Sequence, residues 1–445
     1  MSALDGFMDD LKLSRFHYVT ILLCTLIALF DGYDGSAAAF AGPALLADLK
    51  FDPKTLGAVF SASLVGMVIG AGLFGLLADR FGRRPAIIVS TALFGVFTLM
   101  TGFADHFASL MVYRLVTGLG LGGALSNAVA VSAEFAPKRH RATIVSIVYS
   151  AFPMGSVLGG YLAVWLLKDF GWRSIFLLGA AATVPLLVAV LWIFPESIRF
   201  LCARGAPTAK IHAALQRLEI PTTIDLRPEV AVSAPLMTLF AHGMWSRTLL
   251  LWLAFFINQM VVYFLFMWMP IVLKTWGLGA QTGIIASATQ SLGGVFGAFV
   301  LARIIDRHGA SAVLTPAYIA AMLLVAAVGS VASSGTVVLV AVMGLCGFML
   351  NGSNVNLASV GADLYPTSAR STGVGWAMGI GKGGGIVGST IGGVLLDTGI
   401  SLPILYALAS VPLLLAALSL WALGRRPLLP TYNSGLNAAF PVSDP

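Results

Sequence analysis

The sequence predicts an all-α membrane protein of twelve transmembrane helices, built as two pseudo-symmetric six-helix bundles. Three observations carry this. The chain of 445 residues is 58% hydrophobic and only 10% charged, whereas soluble domains run near a quarter charged. Its apolar residues fall in runs long enough to cross a bilayer, about 20 residues each. The motifs at the ends of those runs recur in the second half of the chain at an offset of 227 to 229 residues.

The predicted spans lie near 17–42, 55–78, 85–104, 108–133, 142–167 and 173–194, then near 247–273, 281–304, 310–331, 336–361, 371–396 and 402–424. The first is too long for a signal peptide and lacks a small-residue cleavage site. The 49 glycines suit membrane helices that approach closely. A polar stretch separates the two sets of six. The expected organisation is therefore an N-terminal bundle over 1–194, a cytoplasmic linker over 195–246 and a C-terminal bundle over 247–426. A disordered cytoplasmic tail over 427–445 follows. Within the linker, Ala209 to Leu218 reads as a short amphipathic helix.

Lys and Arg set the orientation. With both termini cytoplasmic, 19 of the 26 fall on the inner side, 5 on the outer side and 2, Arg114 and Lys382, within spans. The expected location is the plasma (inner) membrane. The net charge of +7 is spread over short loops, with no basic run carrying interleaved aromatics, which excludes a nucleic-acid partner. Cys24, Cys202 and Cys346 have no paired spacing, so neither a disulfide nor a metal site is expected. A cofactor is not expected either, and the chain is read as a monomer.

The repeat is specific. Asp79-Arg80-Phe81-Gly82 after the second span matches Asp306-Arg307-His308-Gly309 after the eighth. Glu134, Pro137, Arg141 and Thr143 match Asp363, Pro366, Arg370 and Thr372 in identical spacing. Gly155 and Gly159 match Gly384 and Gly388. Three ordered matches at nearly one offset indicate duplication, and parallel halves around a midplane site are the plan of a rocking secondary transporter. The segment Gly75 to Arg84 resembles the loop 2–3 signature of the major facilitator superfamily, and Arg114 to Gly120 resembles its fourth-helix motif. Pro195 to Leu201 is similar to the segment that ends the first half in that superfamily. Asp31-Gly32-Tyr33-Asp34 and the stretch Tyr365 to Trp376 resemble the aromatic acid:proton symporter family. Lys382 departs from that family, which commonly carries Arg in the eleventh helix and with it a bidentate carboxylate contact.

Asp31 and Asp34, at i and i+3 in the first span, share a helix face. Asp31 lies about 20 Å from the cytoplasmic end. A bare charge at the bilayer centre costs at least about 3 kcal/mol, so these carboxyls are candidates for proton coupling; the alternative is a structural pair locked by Arg114. Arg114 either neutralises one of them or meets a substrate carboxylate. Lys382 lies near the midplane with no carboxylate within a helical turn, which makes it the first candidate for an anionic substrate. Pairing with Asp31 or Asp34 across the halves is the alternative. Tyr33, Asn258, Tyr263, Gln290, Asn354 and Trp376 supply polar and aromatic groups for the same cavity.

The resemblance implies that Asp79, Arg80, Arg83, Glu134 and Arg141, with Asp306, Arg307, Asp363 and Arg370 in the second half, form a cytoplasmic gate. Helix capping and topology are the alternative for these charges. Gly118-x-Gly120-x-x-Gly123 and Gly379-x-Gly381-x-x-Gly384 match a dinucleotide fingerprint, but both lie inside spans without a preceding strand and are read as helix-contact glycines. No HExxH or GxSxG motif occurs, so an enzyme is not expected. The expected function is proton-coupled import of a hydroxybenzoate-like aromatic carboxylate, the partners being that organic anion, protons and the lipid bilayer. Carriage of another organic anion (a dicarboxylate or sugar acid) and drug export are the alternatives.

Overall fold

The structure, a computed structural model, describes residues 14–207, 211, 236–240, 244–366 and 369–425. Of the predicted helix Ala209 to Leu218 only Ile211 is among the described residues, and the tail 427–445 lies outside them. Twelve long helices are present: α1 Arg15–Leu49, α2 Pro53–Phe81, α3 Arg83–Gly102, α4 Phe107–Phe135, α5 Lys138–Asp169, α6 Arg173–Ile193, α7 Trp245–Thr275, α8 Ala280–His308, α9 Ala310–Val331, α10 Thr336–Leu364, α11 Arg370–Asp397 and α12 Leu402–Gly424. Between α6 and α7 the described chain adds a short helix, Ile198–Ala203, and a 3-10 turn, Leu236–Leu239. Eleven of the twelve are apolar enough by composition alone to cross a membrane. The exception is α11, where ten glycines and Lys382 dilute the apolar character. The helices run up to 35 residues, longer than the predicted spans, because polar ends such as Asp48 and Asp306 continue the helix past the apolar run.

Helix ends follow local chemistry. Pro53 opens α2 and Pro403 sits in the first turn of α12, where a missing N–H costs nothing. Gly82 and Gly309 stop α2 and α8 at φ 109° and 83°, a left-handed conformation that suits glycine. They are the repeated glycines of the two loop motifs.

Packing within each half repeats as well. In the first half α1 pairs with α5 and α2 with α4; in the second α7 pairs with α11 and α8 with α10. Small residues allow this. A Cβ at Gly155 would overlap the Leu29 carbonyl of α1, and one at the repeat-related Gly384 would overlap the Phe256 carbonyl of α7. The glycines of the first decoy fingerprint do the same work: Gly118 faces the Ser63 backbone of α2, Gly120 faces α3 at Ser90 and Phe94, and Gly123 faces Phe74.

The halves meet through α2 with α11, α5 with α8, and α1 with α7. The bonds found between them cluster towards the face opposite the termini. There Lys54 pairs with Asp397, and the Ser61 hydroxyl bonds those of Ser389 at 3.0 Å and Thr390 at 2.5 Å. Lys274 Nζ donates to the Pro43 carbonyl at 2.9 Å. Phe60 packs edge-on against Trp268 in a core shared by the two halves.

Candidate functional site

Two charged clusters sit inside the helices. The first lies wholly in the N-terminal half. Arg114 of α4 is 0% exposed and its Nη1 donates to Asp34 Oδ2 at 2.9 Å. Its Nη2 donates to the Asp34 backbone oxygen at 3.1 Å and to Ser63 Oγ at 3.3 Å. Thr98 Oγ1 donates to Asp34 Oδ1 at 2.8 Å. The guanidinium also lies over the Phe176 ring. The two open readings of Arg114 are thus decided as to contact: it is bonded to Asp34. Removing one member of such a buried pair costs about 3–5 kcal/mol, since the other charge is stranded.

The second cluster spans the halves. Asp31 of α1 is fully buried, and neither carboxylate oxygen has a hydrogen-bond partner among the described residues. Its electrostatic neighbours are Lys382 of α11, Asp34 of its own helix and Tyr263 of α7. Lys382 forms no ion pair within 4 Å among the described residues, yet Asp31 is the charge that acts on it. Both residues sit near the middle of their helices. A buried ionised carboxylate without partners is strongly disfavoured. Asp31 is therefore stable only with a bound proton or with a cation drawn close. Asp31 and Asp34 are neighbours on one face, but the fold gives them different partners because Arg114 approaches from α4 and Lys382 from α11.

Several expected cavity groups are engaged elsewhere. Tyr33 turns into the N-terminal half, where its hydroxyl donates to the Ile175 carbonyl at 2.8 Å and its ring fills the space over Gly159 and Gly179. Asn258 uses its amide N–H groups on Tyr318 Oη at 2.8 Å and the Leu350 carbonyl at 3.0 Å, tying α7 to α9 and α10. Trp376 lies six residues before Lys382 and stacks on Trp252, whose ring meets Phe240 edge-on. Each of the three thus has a protein partner in this structure. Gln290 and Asn354 are placed inside the C-terminal half with buried, unpartnered amide atoms.

The loop charges are likewise divided. Arg83 Nη2 lies 3.5 Å from Asp79 and its Nε 3.5 Å from Glu134, while its Nη1 donates to Asn127 Oδ1. Glu196, missed by the sequence reading, caps α3: its Oε1 accepts from the backbone N–H of Arg83 at 2.7 Å and of Arg84 at 3.3 Å. Arg80 lends its carbonyl to Arg204. Arg141 is half-buried, with its Nε unpartnered among the described residues. Asp306, Arg307, Asp363 and Arg370 are exposed and form no ion pair among the described residues. These contacts tie the first-half gate residues to one another and to the start of the linker, and among the described residues none reaches the second half.

Sequence reasoning also missed Gln259, whose side chain reaches Gly381 next to Lys382, and the Ser61, Ser389 and Thr390 hydroxyl cluster. No motif distinguishes those residues from ordinary helix polar groups, and only the approach of a second helix reveals them.

Twelve helices in two repeated halves, with unlike charges buried between them, define a multi-pass membrane transporter. A family model described as Major Facilitator Superfamily matches residues 24–328 and 251–442. The chain is 35% identical over 429 residues to the gallate transporter of Pseudomonas putida, covering 95% of each. It is 34% identical over 432 residues to the 4-hydroxybenzoate transporter PcaK of Acinetobacter baylyi, covering 94% of each. Among solved structures it resembles a D-xylose-proton symporter with TM-score 0.73 at 17% identity, covering 94% of this chain and 99% of that one. It also resembles a partially occluded inward open conformation of the xylose transporter XylE from E. coli, with TM-score 0.74 at 16% identity, covering 92% and 98%. The likeness to the solved structures concerns the fold alone. The chain belongs to the major facilitator superfamily and, within it, to the aromatic acid transporter family; it is a transporter and not an enzyme.

Proposed function

We propose that the protein imports an aromatic carboxylate of the hydroxybenzoate kind together with protons, by alternating access across the plasma membrane, as a monomer with both termini in the cytoplasm. The observation that carries this reading is Asp31: a fully buried carboxyl with no hydrogen-bond partner among the described residues, facing Lys382 across the two halves. In this reading Asp31 and Lys382 neutralise one another when the site is empty. A proton on Asp31 releases Lys382 to hold the substrate carboxylate, so anion and proton enter the site together. Tyr263 and Gln259 border that space. Asp34 and Arg114 act beside it as a bonded pair that fixes α1 against α4 and passes the charge state of the site to the packing of the first half. An inward-negative potential opposes anion entry by about 2.3 kcal/mol per charge per 100 mV, and more than one proton per monoanion reverses that penalty.

The closed face opposite the termini, with Lys54–Asp397 and the Ser61 cluster, is the extracellular gate in its shut position, so the site opens towards the cytoplasm. The charges of Asp79, Arg80, Arg83, Glu134, Arg141, Asp306, Arg307, Asp363 and Arg370 then await the opposite state, in which the cytoplasmic ends of the halves close on one another.

Uptake of labelled 4-hydroxybenzoate into proteoliposomes tests the reading. An imposed inward proton gradient accelerates uptake by the wild type, and Asp31→Asn abolishes that acceleration. Gradient-independent uptake by the wild type, or normal coupling in Asp31→Asn, rejects it. Lys382→Met is expected to lose binding of the anion, measured by competition against the same label.

A further inference from the structure

We propose that Gln290, Asn351 and Asn354 form a subsite that reads the ring hydroxyl groups of the carried acid, so that a hydroxylated benzoate is selected over benzoate itself. The inference rests on the aromatic-acid reading above and adds the residues that set its specificity.

Both polar atoms of the Gln290 side chain are buried without a partner among the described residues, as are Oδ1 of Asn351 and Oδ1 of Asn354. Gln290 is 0% exposed. The fold satisfies comparable amides elsewhere. Asn127 of α4 bonds the carbonyls of Phe74 at 3.3 Å and Gly123 at 2.8 Å. Its repeat-related counterpart Asn356 of α10 bonds those of Ala298 at 3.1 Å and Gly352 at 2.8 Å. Those two amides tie α4 to α2 and α10 to α8. Among the described residues Gln290, Asn351 and Asn354 make no such tie, although the first two lie at the same helix crossing.

That crossing brings Gln290 and Asn351 together. Gly347 of α10 sits against the Gln290 backbone, and Gly294 of α8 sits against the Asn351 side chain. Asn351 and Asn354, three apart, share a face of α10. The layer lies level with Lys382. Gly381, adjacent to Lys382, meets the Gln259 side chain of α7; Asn258, adjacent to Gln259, bonds the Leu350 carbonyl; and Leu350 adjoins Asn351. In this binding mode the carboxylate lies at Lys382 and the ring hydroxyls point along the same layer towards the amides.

The chemistry suits a phenol. A carboxamide donates and accepts, a phenolic hydroxyl does both, and neither brings a net charge that the membrane interior would penalise. An acid without the hydroxyl leaves the amides unpaired, which is the basis on which sites reject such analogues.

The experiment is a competition series on the purified full-length protein, with labelled 4-hydroxybenzoate displaced by benzoate, 4-hydroxybenzoate and 3,4,5-trihydroxybenzoate. The hydroxylated acids are expected to bind at least about tenfold more tightly than benzoate, the worth of one well-made hydrogen bond. Gln290→Leu and Asn351→Ala are expected to shrink that ratio towards one. Equal affinities in the wild type overturn the subsite while leaving aromatic-acid import standing. Failure to bind any of the three overturns both. Variants that weaken all three acids by the same factor also overturn it, and the wild-type series decides the matter even where a variant does not fold.

Discussion

Asp34→Asn removes one charge from a pair sealed away from water and leaves the shape of the side chain almost unchanged. In the native protein Arg114 and Asp34 side chains are 0% and 3% exposed, and their charges meet at 2.9 Å. Breaking a buried pair in this way costs about 3–5 kcal/mol. Two of the Arg114 contacts survive, those to the Asp34 backbone oxygen and to Ser63 Oγ. The loss is therefore expected at the lower end, about 3 kcal/mol. Asp31→Asn is the comparison: among the described residues it loses no hydrogen bond, only the attraction of Lys382 beyond ion-pair distance, so it is expected to cost at least about 1 kcal/mol less than Asp34→Asn. Reversible unfolding in detergent micelles measures both. A cycle adding Arg114→Met and the double variant should show a coupling of at least about 1.5 kcal/mol between positions 34 and 114. If Asp31→Asn is as destabilising as Asp34→Asn, or if the cycle is additive, the division of the two aspartates into a bonded one and a free one is wrong.

Other consequences follow from packing and from the gate. Gly155→Ala drives a methyl into the Leu29 carbonyl and should cost about 1–3 kcal/mol or more, whereas Gly375→Ala meets nothing within 4 Å and should be silent; folded yield in size-exclusion chromatography separates them. Glu196→Ala removes the cap of α3 and should lower unfolding stability by about 1–2 kcal/mol. Lys54→Ala breaks an exposed pair and should change stability by no more than about 1 kcal/mol. Ser61→Ala removes a buried link worth about 1 kcal/mol and should raise the population open at the face opposite the termini about fivefold, read from the distance between spin labels at positions 50 and 398.

Much of the fold is legible in the chain because a bilayer imposes coarse rules. Lipid demands about 20 apolar residues per span, and a duplicated chain repeats its glycines and loop charges at a constant offset. The eleventh span is read at 371–396 as an apolar run like the others, although its glycines and Lys382 leave α11 less apolar than the other eleven helices. The candidate site is legible only as an inventory. Asp31, Asp34, Arg114 and Lys382 stand out because charges inside spans are costly, and that reasoning needs no partner. Which charge meets which depends on how α1 is rotated between α4 and α11, and no local pattern encodes that rotation. Tyr33, Asn258 and Trp376 are legible as polar or aromatic groups inside spans, but their partners, the carbonyl of Ile175, the hydroxyl of Tyr318 and the ring of Trp252, appear only in the fold.

The sequence by itself determined the number of spans, the duplication and the short list of buried charges, because each is set by composition and spacing along one chain. The tertiary structure alone decided that Asp34 is held by Arg114 while Asp31 has no hydrogen-bond partner among the described residues, and that bonds between the halves cluster at the face opposite the termini. Those outcomes depend on distances between helices far apart in sequence, where a few ångströms separate a bonded pair from a carboxyl that must wait for a proton.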